Sequence, residues 1–95
     1  MEFSAKGLRV LITAGASGIG RVMARTFMEH GARVHICDID EKALASTKKQ
    51  LPAVTQTVAD VAKLEDVERL FRDVEKNLHG LLRGDSGIYK GGVAG

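Results

Sequence analysis

One stretch constrains this chain more than any other: VLITAGASGIGRVMART, from Val10 to Thr26. An apolar run rich in branched side chains meets glycines at positions 15, 18 and 20, then passes directly into helical spacing. The reading is a buried strand, a tight turn and the start of a helix. A strand apolar on both faces has to be covered on both faces, which points to a parallel sheet between layers of helices. The turn carries chemistry as well. The first amides of a helix are unpaired and lie at its partly positive end, so a pyrophosphate is favoured there. Gly15, Gly18 and Gly20 can supply the tight turn, the close approach of backbone to phosphate and the close packing of helix on strand. Ser17 either donates its hydroxyl to a phosphate or caps the helix.

Beyond this stretch the same alternation continues. The spacing predicts a strand over Leu8–Thr13 and a helix over Ser17–His30, with Ile19, Met23 and Phe27 inward and Arg21, Arg25 and Glu29 outward. Gly31 stands where a left-handed cap is expected. RVHICD reads as the second strand, and Asp40 as the cap of a helix that turns Ala43, Leu44, Thr47 and Leu51 inward and stops at Pro52. AVTQTVAD reads as a half-exposed edge strand. A last helix carries Leu64, Val67, Leu70, Phe71, Val74 and Leu78 at three-four spacing. Short connections between alternating strands and helices give right-handed βαβ units. The expected fold is therefore α/β: a three-layer half-Rossmann unit, a parallel sheet of about three strands in the order 3-2-1 with helices on both faces. Residues 1–83 form that domain, and the glycine-rich stretch 84–95 reads as a loop or disordered tail.

Composition narrows the partners. The net charge of +2 is small and aromatic residues make up only 4% of the chain, so no basic, aromatic-laced footprint for nucleic acid is present. No apolar stretch approaches membrane-spanning length. The single cysteine, Cys37, lies in an apolar run and reads as a buried thiol in a reducing, cytoplasmic setting. His30, His35 and His79 lack the spacing of paired metal ligands, and His35 reads as a packed or rim histidine. No Gly-Lys-Ser/Thr follows the turn, which argues against a nucleoside-triphosphatase loop.

A carboxylate ends the second strand. Asp38 follows the turn by roughly 20 residues, the separation expected of a group that accepts hydrogen bonds from an adenosine ribose. An acid there favours NAD over NADP, because it repels a 2′-phosphate. At this point the residues carry a resemblance. TAGASGIGR, CDID and VADV resemble the N-terminal half of a short-chain dehydrogenase/reductase, over about Leu8 to Gly80. That family's TGxxxGxG motif matches at Thr13, Gly18 and Gly20, with Ala14 in place of its first glycine and Gly15 beside it. An alanine costs about 1–2 kcal/mol there if the site needs a positive φ, unless Gly15 carries the bend. The resemblance implies that Asp38 selects NAD, that Ile39 packs on the adenine, and that Asp60 and Val61 contact the adenine edge. Asp60 can equally cap the last helix. With Gly15, Ser17, Gly18, Ile19 and Gly20 these form the expected cofactor-binding set.

Past Gly80 the resemblance fades. The family's catalytic Ser and Tyr-x-x-x-Lys pair are absent, and Tyr89-Lys90 has the wrong spacing to stand for the pair, so no catalytic residue is assigned. The complete family enzyme interconverts an alcohol and a carbonyl with a nicotinamide dinucleotide. This chain is expected to hold the cofactor-binding part and to be inactive by itself. The alternative is a non-catalytic half-Rossmann module that binds a nucleotide or associates with itself. In a 3-2-1 sheet the first strand has an open apolar edge, so a homo-oligomer formed through that edge is expected.

Overall fold

The computed structural model describes residues 4–78 and, as backbone, 86–90. Its elements run β1 (Arg9–Thr13), α1 (Gly18–Glu29), β2 (Arg33–Asp38), α2 (Glu41–Gln50), β3 (Thr55–Val58), α3 (Leu64–Leu78) and β4 (Ser86–Lys90). The four strands form one sheet in the order β3-β2-β1-β4, with every pairing parallel. The expected 3-2-1 order is there, with β3 as an edge.

A fourth strand departs from the expectation. Ser86–Lys90 falls in the stretch read as loop or tail, yet its backbone pairs with β1 from Arg9↔Ser86 to Thr13↔Lys90. Residues 84, 85 and 91–95 lie outside the described residues. The physical reason lies in β1: a central apolar strand presents two rows of backbone donors and acceptors, and burial favours pairing both. With β1 flanked by β2 and β4, the edge expected to stand open for a second copy is paired within the chain.

The sheet is covered on both faces. On one, Val10, Ile12, Val34, Ile36 and Val54 meet Ala24 of α1 and Leu44 of α2. On the other, Leu11, Cys37 and Ala59 meet Leu70, Val74 and Leu78 of α3. Each fully buried aliphatic side chain contributes roughly 1.5–3 kcal/mol. Local signals set the helix ends. Asp40 caps α2 by accepting from the Ala43 amide at 3.0 Å. Gly31, at φ 100°, ends α1 with the Ala32 amide reaching back to the Phe27 carbonyl.

Two helix faces depart from the expected pattern. In α1 the buried residues are Gly20 and Ala24, while Ile19 is 61% exposed. In α3 Leu70, Val74 and Leu78 are buried, whereas Leu64 is 71% exposed and Phe71 is partly so. Met23 and Phe27 of the expected face pack partly buried against the core, and Gly20 and Ala24 let α1 approach the sheet closely.

Candidate functional site

The turn between β1 and α1 is shaped by four small residues with different tasks. Ala14 has φ 53°, so it and not Gly15 takes the left-handed bend. Gly15 is needed for space: a Cβ there would lie 2.7 Å from Ile36 Cβ and Cγ2 and 3.0 Å from the Ile12 carbonyl oxygen. Gly18 takes φ 57° in open space. At Gly20 a Cβ would run into the Ala14 carbonyl, so glycine lets the first turn of α1 sit against the loop. Ser17 is the N-cap by backbone geometry, but its side chain makes no capping hydrogen bond. The first turn of α1 contains no acidic residue. Its amides therefore keep the partial positive character that suits an anion.

Asp38, at the end of β2, reaches across to this turn. One carboxylate oxygen accepts from the Ala16 amide at 3.2 Å and the other from the Asp40 amide at 3.0 Å. Beside it opens a cleft of about 150 Å³ lined by Ala14, Cys37, Asp38, Ile39, Ala59, Asp60 and Val61. Ile39 and Val61 are both more than half exposed at this cleft, leaving apolar surface uncovered beside two carboxylates. The volume is below that of a pocket enclosing a drug-sized ligand, so the cleft suits one flat group and the rest of a larger ligand would lie along the surface. Thus Asp38, Ile39, Asp60 and Val61 meet at one cleft, and Asp38 ties that cleft to the loop holding Gly15, Ser17, Gly18, Ile19 and Gly20. The Ile19 side chain stands exposed on α1 and does not line the cleft.

Asp60 does not cap α3, which begins at Leu64. Its side chain instead accepts from the Ala62 amide at 2.9 Å, folding the turn that presents Val61. The Asp60 amide is taken by Asp66 at 2.9 Å. That bond, then the guanidinium of Arg69, holds the Asp66 carboxyl below its ordinary range.

Sequence reasoning missed the part that two residues play in this loop's support. Arg21, expected outward, turns in: its Nε donates to the Ala16 carbonyl at 2.9 Å and to Thr47 Oγ1 at 3.0 Å. Thr47, fully buried on α2, donates to the same Ala16 carbonyl at 2.7 Å. Nothing local in the sequence marks this contact, since its partners come from two helices.

Burial pushes the Cys37 thiol up to about 11, so it is an inert packed group at the cleft wall. His35 lies under α3, away from the cleft, with Nδ1 2.6 Å from Thr55 Oγ1 and Nε2 2.7 Å from Thr57 Oγ1. Thr57 donates to Asp73 at 2.7 Å, so it accepts from His35 Nε2–H, and Nδ1 accepts from Thr55. Burial lowers the His35 pKa to about 4, against the pull of the Asp73 charge. No group of three or more potential metal ligands occurs among the described residues. Among them no helix is long and apolar enough to cross a membrane.

Comparison with known proteins adds the following. The family model for short chain dehydrogenase matches residues 8–83. A tropinone reductase homolog from Arabidopsis thaliana is 37% identical over 85 residues, which is 85% of this chain and 28% of that protein. The L-fucose dehydrogenase of Bos taurus is 41% identical over 67 residues, 70% of this chain and 25% of that one. Among solved structures, a 3-ketoacyl-(acyl-carrier-protein) reductase from Brucella melitensis complexed with NADH superposes with a TM-score of 0.73 at 31% identity, covering 77% of this chain and 30% of that one. A short chain dehydrogenase/reductase from Burkholderia phymatum in complex with NAD gives 0.73 at 30% identity, covering 80% and 28%. The chain spans about a quarter of the length of these two curated relatives.

Proposed function

The chain belongs to the short chain dehydrogenase family, and from that premise we propose that it is the dinucleotide-binding part of an oxidoreductase that moves hydride between an alcohol or carbonyl and NAD(H). The single observation that carries this reading is the junction of the α1 turn with the acidic cleft through the bond from the Ala16 amide to Asp38. In this reading the diphosphate lies on the amides from Ser17 to Gly20, with the Ser17 hydroxyl as an added donor. The ribose hydroxyls donate to Asp38, whose oxygens each accept only one amide and keep a free lone pair. The adenine lies between Ile39 and Val61, with Asp60 at its edge.

The donor set fits the cofactor: small residues at the phosphates, a carboxylate at the sugar and apolar surface at the base. Bound NAD supplies the hydride acceptor. The residues of this chain bind and orient its adenosine half. In this reading the chemistry at the carbonyl belongs to the complete enzyme. Asp38 makes NAD the preferred cofactor, since a 2′-phosphate would meet its charge. A non-catalytic nucleotide-binding module shares the same site and is separated from this reading by activity of the complete enzyme.

Calorimetric titration tests the assignment. Asp38→Ala removes hydrogen bonds to a charged group, each about 1.5–3 kcal/mol, so NAD affinity should fall roughly 10- to 100-fold. NADP should bind the wild type more weakly than NAD. Affinity for NAD that ignores the substitution would remove Asp38 from the site.

A further inference from the structure

The carbonyl of Ala16 is held from two directions. Arg21 Nε donates to it at 2.9 Å and the Thr47 hydroxyl at 2.7 Å, while Arg21 and Thr47 also meet each other at 3.0 Å. Both lone pairs of one turn carbonyl are thus occupied, one by the turn's own helix and one by α2. The amide of the same residue is taken by Asp38. Two successive peptide planes, Gly15–Ala16 and Ala16–Ser17, are therefore fixed by side chains from β2, α1 and α2.

The geometry of the peptide makes this directional. In a trans peptide the carbonyl and the next amide point opposite ways. Drawing the Ala16 carbonyl in toward buried Thr47 turns the Ser17 amide outward, at the exposed segment of Ser17 and Gly18. Thr47 is fully buried and Arg21 half-buried, so these bonds face little competition from water. The Thr47 hydroxyl also lies 2.9 Å from the Ala43 carbonyl, the second acceptor within reach of its single proton, and Arg21 Nη2 donates to that oxygen at 3.4 Å. This anchors the clamp to the first turns of α2 rather than to a mobile rotamer.

We propose that Arg21 and Thr47 are positioning residues for the diphosphate: they lock the Ala16–Ser17 peptide so that the Ser17 amide faces the ligand before it arrives. The proposal rests on the dinucleotide-binding reading. It differs from a purely structural role in one respect, that it favours the diphosphate and not the nucleoside.

The test compares adenosine with ADP on the full chain, by calorimetry, for the wild type, Thr47→Val, Thr47→Ser and Arg21→Met. The clamp predicts that Thr47→Val lowers the preference for ADP about tenfold, the scale of one well-made hydrogen bond to a charged group, while adenosine affinity holds. Thr47→Ser restores it, and Arg21→Met repeats the loss should Thr47→Val fail to fold. Equal losses for both ligands, or an unchanged preference, overturn the proposal. A wild type that binds the two alike overturns the diphosphate reading itself. The carbonyl-carbon resonance of Ala16 in ligand-free protein separates the two failures. It must move upfield in Thr47→Val and in Arg21→Met, and an unmoved resonance overturns the clamp whatever the chain binds.

Discussion

Ala14 and Gly15 divide the work that the family motif gives to a glycine at the first of these positions. Ala14 carries the left-handed bend at φ 53°, and Gly15, free of any such φ, carries the close contact with Ile36. The bend costs an alanine about 1–2 kcal/mol, partly offset because glycine loses roughly 0.4–1 kcal/mol more chain entropy on folding. Ala14→Gly should therefore raise stability by about 0.5–1 kcal/mol in urea unfolding, and a lower midpoint would contradict the strain. Gly15→Ala should lower it by about 1–3 kcal/mol, the usual cost of forcing a methyl into a packed site. The need for glycines was legible in the sequence, because a turn against a strand and a helix leaves little room. Which residue bends was not legible, since Ala-Gly and Gly-Ala orders differ only in a dihedral angle. Asp38 was expected from spacing and Ile39, Asp60 and Val61 only from the family resemblance, while the backbone amides that hold Asp38 were not legible.

At the scale of elements, α1 shows how periodicity can find a helix and overlook its closest contacts with the sheet. Met23 and Phe27 pack partly buried against the core as expected, Ile19 stays exposed, and the fully buried residues are Gly20 and Ala24. Small residues carry a weak hydrophobic signal and a strong packing one, and the Arg21 side chain turns back to the Ala16 carbonyl. The link between β2, β3 and α3 yields a pH prediction. His35 has a folded-state pKa of about 4 against 6.5 in the unfolded chain. The unfolded state thus takes up the proton first as pH falls. Stability is full above about pH 6.5, is lost progressively down to about pH 4, and changes no further through this group below that. The total is about 3 kcal/mol. His35→Phe should flatten this part of the stability profile, and a slope that persists in the variant would assign it to other groups. Thr57 and Asp73 belong to the same network, so Thr57→Val should destabilise α3 by about 1–3 kcal/mol by leaving His35 Nε2–H without an acceptor.

For the whole molecule, the order of the first three strands followed from the alternation of strand and helix and from short connections. The fourth did not, because Ser86–Lys90 has little apolar character of its own and is specified by the open side of β1. Hydrogen exchange should find the amides of Leu11 and Ile12 on β1 among the slowest in the chain, with those of β3 faster. Rapid exchange on β1 would mean that β4 does not stay paired. The cleft and the turn meet at the C-terminal ends of β1, β2 and β3, where open parallel sheets bind ligands. The account as a whole stands on that placement, and an amide-resolved NMR titration of the full chain with NAD tests it most directly. The account predicts shifts concentrated at residues 14–20, at 38–39 and at 60–61, sharply reduced in Asp38→Ala. Saturating NAD that leaves those amides unmoved, or moves another surface instead, would contradict it.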